Sequence, residues 1–173
     1  GVMIASIAPK SPAEAAKLQI GDIIEAIGDR TITDSSSLNR AVAQAPDKTL
    51  DVKTRERIAL AVAQVNACDY CLSAHTYLAT NLAKMSPAEI ALNRKGGSGD
   101  QKANAAVSFA AKVTQARGHG SDADLAEGRA AGYEDAQIVE IVALVAENCF
   151  TNFLNEVAKT DIDFPVVLAA EAA

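Results

Sequence analysis

The chain has 173 residues and a formal net charge of −6, from 16 Lys and Arg against 22 Asp and Glu. That balance speaks against nucleic acid as a partner, because a phosphate backbone is held by clustered basic residues. Hydrophobic residues make up 49% of the chain but aromatic ones only 4%, with no Trp; much of the apolar share is Ala, which suits closely packed helices better than a sandwich or barrel.

The length fits a small module joined to a modest domain with a real core. No uninterrupted apolar run approaches the roughly 18 residues of a spanning helix, so no membrane segment is expected. Residues 1–8 lack a basic n-region and are not expected to be a signal peptide. Three cysteines are too few for a secreted disulfide framework. Two of them in a C-x-x-C of an acidic chain point instead to a cycling thiol pair in the cytoplasm.

In chain order, Val2 and Ile4 suggest a short strand ended by Pro9. Ser11 before Pro12 predicts a brief helix over Pro12–Lys17, stopping near Gly21. Asp22–Ile27 is a second apolar run, with Gly28-Asp29 as a turn before Thr31-Ile32-Thr33. Ser35–Ser37 can cap a helix over Leu38–Gln44 that Pro46 closes. Residues 1–49 resemble a bacterial PDZ domain through Gly1-Val2-Met3-Ile4, Ser11-Pro12-Ala13, Leu18, Gly21-Asp22-Ile23-Ile24, Ile27 and Ile32. The resemblance is truncated: it lacks the carboxylate-receiving strand and loop and the closing strand after Val52. It therefore implies a packing or oligomerisation appendage rather than peptide capture by strand addition.

Residues 47–55 can serve either part, as a closing strand or as a helix start. Asp51 as N-cap with Thr54 three residues on favours a helix from near Val52, and a boundary near Asp47–Leu50. From there the pattern is all helical. Ile58, Leu60, Ala61, Val62 and Val65 describe a helix buried on most sides, and Cys68–Leu82 another. Ser86-Pro87-Ala88-Glu89 starts a third, with Ser as cap and Pro at the first position. Asp100–Arg117, Ser121–Ala131 and Ala136–Lys159 follow, separated by glycines. Asp161–Pro165 reads as an extended end, and residues 167–173 as a flexible tail.

The chemistry concentrates between Glu56 and His75. On a helix, Cys71 lies about 60° from Cys68 and His75 about 20° from it, so the three share one face. Glu56 would be about 18 Å from Cys68 on the same straight helix. A reversal at Val65–Asn66 removes that separation and sets Glu56 opposite His75. Asn66 is then the expected N-cap, Asp69 the third-position acid and Cys68 the second helical residue. A thiol there feels the positive helix end, which lowers its pKa. His75, one turn beyond Cys71, can take that thiol's proton, and Glu56 can orient the imidazole. A thiolate so placed attacks a peroxide to give a sulfenic acid, the second thiol resolves it as a disulfide, and an external dithiol reduces the pair. The helix end favours Cys68 as the activated thiol and the histidine favours Cys71.

Other readings of the same residues stand beside this one. Cys68, Cys71 and His75 are three ligands of a structural zinc site that wants four, the fourth being His119 or Cys149 from afar. They could also be two small buried cysteines and a core histidine. Cys149 reads as core and His119 as an exposed loop residue. Asn148, Asn152 and Asn155, on one side of the last helix, read as inter-helix hydrogen-bonding groups, with a supporting role near the site as the alternative.

Residues 50–166 resemble the carboxymuconolactone decarboxylase/AhpD-like superfamily, in its alkylhydroperoxidase branch. The match runs through Arg55-Glu56, Val65 to Thr76 with the Glu–Cys–Cys–His pattern, Phe109-Ala110, Gly132-Tyr133, Glu140-Ile141-Val142, Asn152-Phe153-Leu154-Asn155 and Asp161 to Pro165. The resemblance implies a mainly α, AhpD-like bundle that forms trimers or hexamers. It implies Cys71 as the peroxide-reactive thiol, Cys68 as the resolving one, and His75 with Glu56 as proton relay, with neither metal nor bound cofactor. Organic hydroperoxides would be the substrates and a lipoyl-type or similar dithiol the electron donor, often beside a peroxiredoxin. The decarboxylase branch lacks the cysteine pair. The chain departs from the family in carrying the PDZ-like segment where further helices usually stand. The expected function is thus a thiol-dependent peroxidase, with a non-catalytic oligomeric interaction protein or a structural zinc protein as alternatives.

Overall fold

The structure, a computed structural model, describes residues 1–7, 14, 17–27, 30–35, 37–38 and 50–171. The chain divides into two compact units, Gly1–Lys48 and Thr49–Ala173.

In the first unit, β1 (Val2–Met3) pairs antiparallel with β2 (Ile23–Ile24), Val2 opposite Ile24. Ile4 extends the pairing, its N–H donating to Asp22 O at 2.8 Å while its own carbonyl accepts from Gly21 N at 2.9 Å. Gly21 sits at φ +97°, a conformation only glycine adopts without strain, and this lets the chain turn into β2. A second short ribbon joins β3 (Ala26–Ile27) to β4 (Arg30–Thr31). Both apolar runs expected as strands are therefore strands. The helices predicted over Pro12–Lys17 and Leu38–Gln44 and the Gly28-Asp29 turn fall largely outside the described residues.

The second unit contains six α-helices among the described residues: α1 (Val52–Val65), α2 (Asp69–Asn81), α3 (Pro87–Arg94), α4 (Gln101–Gln115), α5 (Asp122–Ala130) and α6 (Asp135–Ala158). The molecule is mainly helical with a small strand-bearing N-terminal segment, as the composition predicts. Asp51 caps α1 as expected, accepting from Thr54 N at 3.0 Å and from Thr54 Oγ1 at 2.8 Å. Ser86, Asp100 and Ser121 cap α3, α4 and α5. For α6 the N-cap is Glu134, which forms a reciprocal capping box with Gln137.

α1 is the axis of the unit, packed against α2, α3, α4 and α6. Its Ile58 and Val62 join Ala106, Phe109, Ala110, Ile141 and Val145 in one cluster. Leu60 and Ala63 join Cys68, Cys71, Leu72, Met85 and Ile90 in another. Ala59, Ala61 and Ala63, all buried, leave little side chain between backbones, so partner helices can approach closely. α6 has the length and apolarity to cross a membrane. It holds no unbroken apolar run, because Glu140 and Glu147 interrupt the pattern. Its Ile138, Ile141, Leu144 and Val145 lie in the core, which makes it a core helix of this bundle. Its other side leaves Val139, Val142, Phe150, Phe153, Leu154 and Val157 exposed.

The C-terminal end differs from expectation. Residues 167–169, predicted as the start of a flexible tail, are fastened across α2. Val167 N donates to Ser73 Oγ at 2.9 Å and Ala169 N to Asp69 Oδ1 at 2.8 Å. Gln64 Nε2 donates to Ala169 O and Arg94 to Leu168 O, at 3.0 and 2.7 Å. Ahead of them Phe164 meets Tyr70 edge-on at 5.8 Å and Tyr77 at 5.7 Å. The anchoring groups come from α1, α2 and α3, so nothing local in the tail announces them.

α3 is tied to α1 through Glu89. Its carboxylate accepts from Arg57 Nε at 2.8 Å, Ser98 Oγ at 2.5 Å, Gly99 N at 2.8 Å and Asn93 Nδ2 at 3.1 Å. Burial alone would raise its pKa; the four donors outweigh it and hold the carboxyl at about 2. A folded pKa below the unfolded one means the contribution is present above pH 4.5 and is lost as pH falls toward 2. Glu89→Gln should therefore cost about 2–3 kcal/mol at pH 7 by urea unfolding. The deficit should shrink steadily between pH 4.5 and pH 2; a deficit constant across that window would refute this account of Glu89.

Candidate functional site

The site rests on the connection between α1 and α2. Asn66 ends α1 in helical conformation, Ala67 turns back at φ +54°, and Cys68 begins the return in extended conformation. The reversal is where the sequence places it, but its capping differs. Asn66 is the C-cap of α1 and Cys68 the N-cap of α2, so Cys68 is not at the second helical position. Asn66 spends its amide on α6 instead: Nδ2 lies 2.9 Å from Asn152 Oδ1 and 3.3 Å from Cys149 Sγ. Cys68 Sγ takes the capping role, accepting from Cys71 N at 3.3 Å.

Across this hairpin Glu56 Oε2 and His75 Nδ1 are 2.9 Å apart, with side chains 18% and 23% exposed. α1 places Glu56 and α2 places His75, nineteen residues apart in sequence. A neutral imidazole so held donates from Nδ1 to the carboxylate, which leaves Nε2 as the nitrogen free to exchange a proton. All four predicted site residues therefore lie on the two arms of one hairpin, with Glu56 and His75 in direct contact.

Both cysteines are reduced and buried, Cys68 completely and Cys71 to within 4%. The expectation that the helix N-terminus activates Cys68 is overturned. Its thiol is pushed up to about 12, first by burial, next by its hydrogen bond to the Cys71 sulfur, then by the negative charges of Cys71 and Glu156. The Cys71 N–H favours the thiolate but is outweighed. Cys68 thus keeps its proton at neutral pH, with the Cys71 sulfur as its partner.

Asn155 was only a subsidiary candidate from sequence. Its Nδ2 lies 3.4 Å from Cys71 Sγ, a contact that the recurrence of Asn along α6 hints at without naming the sulfur. Asn148 returns its amide to Leu144 O of its own helix, whereas Asn152 makes the expected inter-helix bond. Cys149 is half-buried against the core and His119 is exposed, as predicted. Among the described residues no three His, Cys, Asp or Glu side chains are grouped to hold a metal ion. On the flank of α2, a cavity of about 270 Å³ is lined by Thr76, Thr80, Pro87, Ile90, Ala91, Arg94 and Val167.

Residues 36–116 match the family model of the carboxymuconolactone decarboxylase family, and residues 3–56 match a PDZ domain. The PDZ match lies ahead of the carboxymuconolactone decarboxylase match, in the order read from the sequence. No curated protein matches the chain. Among solved structures, an uncharacterized peroxidase-related protein from Silicibacter sp. TM1040 is 24% identical with a TM-score of 0.61, over 78% of this chain and 72% of that one. The debrominase Bmp8 is 20% identical with a TM-score of 0.58, over 66% of this chain, both as the apo protein and as a Cys-to-Ala variant with 2,3,4-tribromopyrrole. The match spans 62% of the debrominase chain. At these identities the likeness is one of fold.

The state of Cys68 has a measurable consequence. The folded protein holds its thiol neutral to about pH 12, against an ordinary thiol value of 9.0, so its contribution to stability is intact below pH 9. It is lost as pH rises from there toward 12. Under reducing conditions the stability of the wild type should fall more steeply between pH 9 and 11 than that of Cys68→Ser. Parallel slopes in urea unfolding would show that Cys68 is not held neutral.

Proposed function

We propose that this chain is a thiol-dependent peroxidase that reduces organic hydroperoxides. The observation that carries the reading is the 2.9 Å contact between Glu56 and His75 across the hairpin that also holds Cys68 and Cys71. A carboxylate holding a histidine beside a dithiol supplies a nucleophile, its base and the group that orients the base.

In this reading the Cys71 thiolate attacks the terminal oxygen of the hydroperoxide. The O–O bond breaks, the alcohol leaves with a proton from His75, and Cys71 becomes a sulfenic acid. The Cys68 thiol then attacks the Cys71 sulfur, the S–O bond breaks, and a Cys68–Cys71 disulfide forms with release of water. An external dithiol of the lipoyl type restores both thiols by exchange and leaves as its own disulfide. No bound cofactor is needed. The high pKa of Cys68 suits a resolving thiol, which must not compete for the peroxide but must have a proton to give up once the sulfenic acid exists. Glu56 keeps His75 oriented and stabilises its charged form between the steps.

The cytoplasm suits this cycle because its thiol pools keep such a pair reduced. The exposed apolar side of α6 supports a homo-oligomer, a trimer or hexamer, in which a second copy covers Phe150, Phe153, Leu154 and Val157. A peroxiredoxin that shares the same dithiol donor is a fitting partner.

Cumene hydroperoxide with dihydrolipoamide is a direct assay. The wild type should consume the peroxide with formation of a Cys68–Cys71 disulfide, and Cys71→Ser should not. His75→Ala and Glu56→Gln should each lower turnover, by about 10²-fold or more for the histidine. Absence of turnover in the wild type, or undiminished turnover in Cys71→Ser, would exclude the peroxidase reading.

A further inference from the structure

The C-terminal end of α6 is built around Asn155, whose carbonyl and side-chain amide each have defined partners. Its carbonyl accepts from Lys159 N and from Thr160 N, the latter at 3.1 Å, in the turn that ends the helix with Lys159 at φ +52°. Its side-chain Oδ1 accepts from Thr160 Oγ1 at 2.9 Å. Its Nδ2 faces Cys71 Sγ, 3.4 Å away. An anionic Cys71 sulfur can only accept, so this placing of Nδ2 is the one that suits the thiolate.

We infer that Asn155 is the thiolate-stabilising donor of the site, and that Thr160 is a positioning residue acting through it. An N–H donates weakly to a neutral thiol and strongly to an anionic sulfur, so the bond gains strength when Cys71 loses its proton. The amide carries no titratable proton, so the donor itself is available at any pH. It also approaches from a different element: Glu56 stands on α1 and His75 on α2, whereas Asn155 reaches the sulfur from α6. A purely structural Asn155 would need only its carbonyl and Oδ1, both of which terminate the helix. The bond to sulfur adds nothing to that role, and its geometry is what assigns the second one.

The catalytic meaning of this rests on reading Cys71 as the peroxide-reactive thiol, but the ionisation of Cys71 can be measured without peroxide. The full chain, reduced, is alkylated with iodoacetamide between pH 5 and 10, and the rate at the Cys71 peptide is followed by mass spectrometry. Asn155→Asp keeps the acceptor for Thr160, removes the donor and adds a negative charge beside the sulfur. It should slow Cys71 alkylation at pH 7 by about tenfold or more and move the whole profile to higher pH. Thr160→Val, which frees the amide to rotate, should slow it by about threefold to tenfold, and Thr160→Ser should match the wild type. Superimposable profiles for the wild type, Asn155→Asp and Thr160→Val, with helicity intact, would overturn the assignment. Should Asn155→Asp fail to fold, the comparison of Thr160→Val with Thr160→Ser decides alone, and equal profiles for that pair overturn it. A shifted profile in a protein that consumes no hydroperoxide would retain this assignment and remove the peroxidase reading; turnover without a shift would do the reverse.

Discussion

The site depends on the reversal at Asn66 and Ala67. On one continuous helix Glu56 and His75 would stand about 28 Å apart, at roughly 1.5 Å per residue; the reversal brings their side chains to 2.9 Å. Ala67 takes a left-handed conformation that costs a non-glycine residue about 1 kcal/mol. The surrounding bonds offset that cost: Cys68 N donates to Ala63 O at 3.0 Å, and the Asn66 amide is fixed on Asn152 and Cys149 of α6. The turn is thus held from within the hairpin and from a helix more than eighty residues further along the chain.

The same frame decides between two opposed effects on Cys68. A helix N-terminus stabilises an anion by about 0.3–1 kcal/mol, less than one pKa unit. Complete burial disfavours the anion by as much as 3–5 units. Cys68 has both, and burial dominates because its sulfur is enclosed among Leu60, Ala63, Leu72 and their neighbours. The pair is therefore asymmetric in the resting state. One sulfur is a thiol that caps a helix and keeps its proton; the other faces the Asn155 amide as well as the Cys68 thiol. Helix position alone gives the opposite order, which is why the sequence pointed two ways on the activated thiol.

What could be read from sequence and what could not divides by range. Asp51, Ser86, Asp100 and Ser121 are legible as caps because capping is a contact over three residues. The facing of Glu56 and His75 is legible because an antiparallel hairpin pairs residues equidistant from its turn. The capping of that turn is not: Asn66 is a good N-cap by type, yet its amide is drawn off by Asn152, a partner with no fixed spacing. The fastening of residues 167–169 was missed for the same reason, since Asp69, Ser73, Gln64 and Arg94 lie some seventy to a hundred residues away. Asn155 was visible as a polar residue on an apolar helix, but only the packing of α6 on the hairpin supplies its sulfur partner.

The residues between the two cysteines explain how the pair can close without the site coming apart. Side chains three apart on a helix have Cβ atoms about 5–6 Å apart, whereas a disulfide needs about 3.5–4.5 Å. On a regular helix the first turn would have to yield by an ångström or two. Asp69 and Tyr70 are not free to do so: the Asp69 carboxylate accepts Ala169 N–H, and Tyr70 packs on Phe164. Cys71 is held inside the helix, one turn before His75. Cys68, at φ −87° and ψ 98°, is the one member of the pair outside helical dihedrals. Its sulfur meets the helix at Cys71, through the cap to Cys71 N and the Cys71 sulfur. The freedom to bring the two sulfurs together therefore lies at the cap, on Cys68, while Cys71, His75 and Asn155 stay in their helices.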